Sequence, residues 1–92
     1  MNKFKMPDVL FGKWTDDEND KVISISRGIN DDCVIINDES EAYVTEALLR
    51  ILGDNNAGLI WHDIQCIMQI ISNNRVLITS DKKVYDFTRL PE

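Results

Sequence analysis

The chain has one histidine, two cysteines, two prolines and four glycines among 92 residues, and each shortage removes a class of function. A lone His62 with Cys33 and Cys66, neither in a Cys-x-x-Cys pair, assembles no zinc-ligand spacing, so neither metal nor cofactor is expected. Both cysteines stand in apolar runs, Cys33-Val34-Ile35-Ile36 and Gln65-Cys66-Ile67-Met68, where a free thiol acts as a small buried hydrophobe. Pro7 and Pro91 lie near the ends, no repeat appears, and a single domain over residues 1–92 is expected.

Long apolar runs are also missing. The densest, residues 59–71, is broken by His62, Asp63, Gln65 and Gln69, short of the roughly 18 apolar residues of a membrane span. The N-terminus carries Lys3 and Lys5 but no apolar segment follows them, so no secretory leader and a cytoplasmic location are expected.

Bases are the remaining shortage. Ten Lys and Arg face 16 Asp and Glu, a net charge of −6. Most of the acids fall between Trp14 and Asp63, where the only bases are Lys21, Arg27 and Arg50. That balance disfavours direct nucleic-acid binding, which needs a basic footprint. It is also too sparse for a DNA mimic, which must match about one charge per 1.7 Å of duplex. The run Asp16-Asp17-Glu18-Asn19-Asp20 lacks the alternating spacing and central glycine of a calcium loop and reads as a solvated turn.

Catalysis finds little support. His62-Asp63 is the one adjacent pair resembling acid–base machinery, yet neighbours in a helix point about 100° apart and in a strand to opposite faces. No Ser or Cys is placed by motif for His62 to activate, so no enzyme is expected.

What is present is patterned. Residues 21–27 alternate, with Ile23 and Ile25 on one face and Val22, Ser24 and Ser26 on the other, and residues 33–36 read as the returning strand of a hairpin. Residues 40–52 read as a helix: Ser40 as N-cap, Gly53 as terminator, Val44, Ala47, Leu48, Ile51 and Leu52 on one stripe, and Glu46–Arg50 as an ion pair. Residues 59–72 fit a helix carrying Ile60, Ile64, Ile67, Met68 and Ile71. They also fit a strand carrying Ile64, Cys66, Met68 and Ile70, and the helix is preferred. Residues 75–79 and 84–89 read as a second hairpin, and residues 9–15 as an additional edge strand.

The expected fold is therefore α+β: an antiparallel sheet of four or five strands with two helices, in the order ββ-α-α-ββ. Two helices followed by a hairpin also match the order of a winged helix, but the second helix has no Lys or Arg to enter a groove.

The functional expectation is a small acidic inhibitor, of the immunity-protein or antitoxin kind, that neutralises a basic nuclease-like or nucleic-acid-binding protein. Its expected contact residues are the aromatics Trp14 and Tyr43 with Asp16, Asp17, Glu18, Asp20, Asp31, Asp32, Asp38, Glu39 and Glu41. The alternative is a non-catalytic regulatory or structural module, including a homodimer built through an exposed strand edge.

Overall fold

The alternation in residues 21–27 holds in three dimensions: Ile23 and Ile25 are buried, while Val22, Ser24 and Ser26 face outward. The same two-residue period runs through the rest of the chain. The structure is a computed structural model that describes residues 6–91; the basic start at residues 1–5, read above against a leader, lies outside the described residues. The strands are β1 (Gly12–Asp16), β2 (Lys21–Arg27), β3 (Cys33–Asp38), β4 (Tyr43–Ile51), β5 (Asn56–Trp61), β6 (Ile64–Ser72), β7 (Arg75–Thr79) and β8 (Val84–Arg89). Each pairs antiparallel with the next, and β8 returns to β1 through Trp14 opposite Arg89 and Thr15 opposite Thr88. The result is a closed up-and-down barrel.

This overturns the α+β expectation. No α-helix occurs among the described residues, and the segments read as two helices are strands. The reason lies on the outside of the barrel. In β4, Ala47 points inward with Leu49, while Val44 and Leu48 point outward and stay exposed. A strand with apolar residues on both faces can satisfy i, i+3, i+4 spacing by accident, and this one does.

The supposed helix signals have other uses. Ser40 does not cap a helix; its Oγ accepts the Val22 backbone N–H at 2.6 Å. Glu46 and Arg50, four residues apart on a strand, stand about 13 Å apart along it and form no ion pair.

Residues 59–72 are the end of β5, a two-residue turn and β6. His62 and Asp63 occupy that turn at φ 56° and 61°, the left-handed pair of a type I′ hairpin. With neither Gly nor Asn there, no turn signal was visible. On β6 the inward residues Cys66, Met68 and Ile70 are buried, and Ile67 and Ile71 lie outside. The two hairpins read from sequence are present as β2–β3 and β7–β8. The expected N-terminal edge strand is β1, which is not an edge because it pairs on both sides.

A barrel of this strand number has an interior that side chains can fill. Here Trp14, Trp61, Phe87, Met68 and the aliphatics of β2 to β7 fill it, with the small Ala47 and Ala57 among them. One end is sealed by a 3-10 turn, Asp8–Leu10, whose Leu10 is fully buried and accepts the Trp14 indole N–H at 2.9 Å. Arg89 fastens that seal. Its guanidinium donates to the carbonyls of Val9, Phe11 and Asn73 and lies 4.2 Å from the Trp14 ring centre. Gly12 sits beneath it at φ +132°, where a Cβ would come within 2.6 Å of the guanidinium.

Because strand direction alternates, the loops at 17–20, 39–42, 62–63 and 80–83 gather at the opposite, unsealed mouth. Those at 28–32, 52–55 and 73–74 surround the sealed end.

Candidate functional site

The open mouth collects carboxylates from segments distant in sequence. The β1–β2 loop contributes Asp17, Glu18 and Asp20, and the β3–β4 loop contributes Glu39 and Glu41, all exposed. The loops are tied edge to edge: the Glu39 N–H donates to the Val22 carbonyl at 2.9 Å, and Lys21 Nζ reaches Asp38 at 2.7 Å and Glu41 at 2.5 Å. Asp63 in the β5–β6 turn and Asp81 in the β7–β8 loop lie on the same rim, although neither was among the expected contact residues.

Not every expected contact residue belongs to this surface. Trp14 is a core residue, 1% exposed, and has no surface to offer a partner. Asp16 and Asp38 are buried and build the mouth. Asp16 accepts the side-chain and backbone N–H groups of Asn19 at 2.7 and 3.1 Å and the Asp86 N–H at 2.8 Å. Burial pushes the Asp16 carboxyl up, but hydrogen bonds from the Asn19 side chain and the backbones of Asp86, Asn19 and Glu18 outweigh it and hold the group below its ordinary range.

Asp38 accepts the Ser40 N–H at 3.1 Å as well as the Lys21 ammonium. Burial pulls Lys21 down, yet hydrogen bonds to Asp38 and Glu41, with their charges, prevail and raise it above an ordinary lysine. Asp31 and Asp32 are exposed but lie in the β2–β3 loop at the sealed end, away from the other acids.

That leaves Asp17, Glu18, Asp20, Glu39, Glu41 and Tyr43 together at the mouth. Glu39 folds onto the outer wall, accepting the Ser24 hydroxyl at 2.6 Å and pairing with Lys13 at 3.2 Å; the Ser24 bond first, then Lys13, lowers its carboxyl. Tyr43 is half exposed and stacks on His62, with ring centres 5.1 Å apart and planes 19° from parallel. His62 in turn lies 5.2 Å from Trp61, and Trp61 6.0 Å from Tyr85. An aromatic bank therefore adjoins the acidic loops. The β7–β8 side of the rim is basic, with Lys83 at 5.5 Å from the Tyr85 ring centre.

A cavity of about 320 Å³ opens between the β5–β6 turn and the β7–β8 loop, lined by Trp61, His62, Ile64, Ile78, Lys82 and Tyr85. The Trp61 indole N–H has no hydrogen-bond acceptor among the described residues. Cys66 also lines the cavity, but its thiol turns to the Ile64 carbonyl at 3.6 Å. Burial, then the charge of Asp81, pushes that thiol up, away from the thiolate a nucleophile requires. Among the described residues no three His, Cys, Asp or Glu side chains converge as a metal cage.

The mouth thus offers charge, hydrogen-bond acceptors and an aromatic platform. Comparison with protein-family models, with curated proteins and with solved structures finds no match to this chain.

Proposed function

We propose that the protein is a non-catalytic binding domain whose open mouth docks a basic protein, as an inhibitor of the immunity or antitoxin kind would. One observation carries this reading: adjoining loops place Asp17, Glu18, Asp20 and Glu41 on the same rim of the barrel as an exposed Tyr43. Carboxylates on a rim speed capture of a cationic partner, and a stacked, partly exposed aromatic supplies contact area at little entropic cost. The buried free thiols Cys33 and Cys66 suit a reducing compartment such as the cytoplasm.

Paired variants test the reading by position. One neutralises Asp17, Glu18, Asp20 and Glu41 to Asn or Gln at the open mouth; the other neutralises Asp31, Asp32 and Asp54 to Asn at the sealed end. In affinity capture at low salt, the wild type and the sealed-end variant should retain the same basic protein, while the mouth variant loses it. Retention by the mouth variant, or loss only with the sealed-end variant, would remove the mouth from the binding surface.

A further inference from the structure

Closure leaves none of the described strands with a free edge, so a dimer formed by strand addition has no place to form. The outer wall offers a different route. Most of it is chiefly polar: β1, β2 and β8 present Lys13, Thr15, Ser24, Ser26, Asp86 and Thr88. The wall over β4, β5 and β6 presents Val44, Leu48, Ile60, Ile67 and Ile71 instead, with exposures from 38% to 60%. Leu48 stands directly opposite Ile60, and Ile67 opposite Gly58, so Leu48, Ile60 and Ile67 are neighbours on adjacent strands, with Val44 and Ile71 farther along β4 and β6. Soluble chains seldom leave such a patch bare.

At its centre the side-chain layer has a gap. A Cβ at Gly58 would meet only the Arg50 carbonyl, at 4.0 Å. A groove of about 480 Å³ lies there, walled by Leu48, Arg50, Ile60 and Ile67.

We propose that a second copy of this chain covers this face, in a two-fold dimer whose axis passes close to Leu48. The charges on β4 select that occupant. Glu46 and Arg50 point outward two residues to either side of Leu48, and neither joins an ion pair among the described residues. A two-fold axis at Leu48 that lies across β4 in the plane of the interface runs the two copies of β4 antiparallel and sets Glu46 of each against Arg50 of the other, so the face is complementary to itself. The two charges also cancel locally, which lets copies of a strongly acidic chain approach here while their acidic mouths stay apart. Leu48 and Ile60 of the two copies then meet across the axis and exclude water from this face.

Sedimentation equilibrium of the full chain between micromolar and millimolar concentration tests this. The wild type should associate to a dimer. Glu46→Arg and Arg50→Glu should each be monomeric, since each faces like charges across the axis. An equimolar mixture of the two variants should dimerise, because one copy then carries both positive and the other both negative charges. The double variant, with the charges exchanged, should dimerise as well. Both positions of the test are exposed, and thermal melts check that each chain stays folded. A wild type that remains monomeric at millimolar concentration overturns the proposal. So does a dimer unaffected by the single charge reversals, or single variants that do not recover on mixing.

Discussion

Asp16 does more to shape the acidic mouth than to charge it. It is an inward residue at the end of β1, and it gathers donors from the β1–β2 loop and from β8 across the barrel's closing seam. Its carboxyl is depressed in the folded state relative to the ordinary value of 3.8. Such a group contributes stability that is fully present above its unfolded pKa and is lost as pH falls through the folded one. Asp16→Ala should therefore cost about 2–4 kcal/mol at neutral pH, with unsatisfied amide donors as the main loss. The gap to wild type should narrow in acid, as pH falls below 3.8 and through the lowered folded value at which the native carboxylate takes up its proton. Urea unfolding of both proteins at neutral pH and in acid decides it: a gap that is equal at both would mean that ionised Asp16 is not what holds the loop.

At the scale of single elements, β4 shows what the sequence revealed and what it hid. Hairpin β2–β3 was legible because Ser24 and Ser26 alternate with the inward Ile23 and Ile25, and because the turn residues 28–32 precede the apolar run of β3. Hairpin β7–β8 was legible because its turn, residues 80–83, is wholly polar. β4 and β6 were illegible because Val44, Leu48, Ile67 and Ile71 put apolar side chains on the outer wall, which erases the period of two. The acids of the mouth were visible as residues, but their assembly depends on loop parity around a barrel, which no local pattern encodes. Asp31 and Asp32 look equivalent to Asp17 and Asp20 in sequence and lie at the other end for that reason alone.

Three variants test the element assignments. Leu49→Ala, in the core, should lower unfolding stability by about 2–4 kcal/mol, while Leu48→Ala, on the outer wall, should change that of the dilute chain by under about 1 kcal/mol. A helix over 40–52 would reverse that order. Replacing His62-Asp63 by Asn-Gly should stabilise the protein by about 0.5–1 kcal/mol, because both positions have positive φ. In a helix over 59–72 the same change would be destabilising. Thermal or denaturant midpoints distinguish these outcomes directly.

At the scale of the whole molecule the barrel separates its tasks. The interior is filled and one end is sealed by Leu10 and Arg89, while the other end carries the rim of carboxylates and stacked aromatics on which the proposed binding rests. The reading stands on those loops forming one surface. Amide shifts of the isotope-labelled full chain, titrated with a short oligolysine peptide at low salt, measure this most directly. Shifts concentrated in residues 17–20 and 39–43, sparing 31, 32 and 54 and weakening as salt is added, are what the account predicts. Shifts spread evenly over the chain, or concentrated at the sealed end, would contradict it.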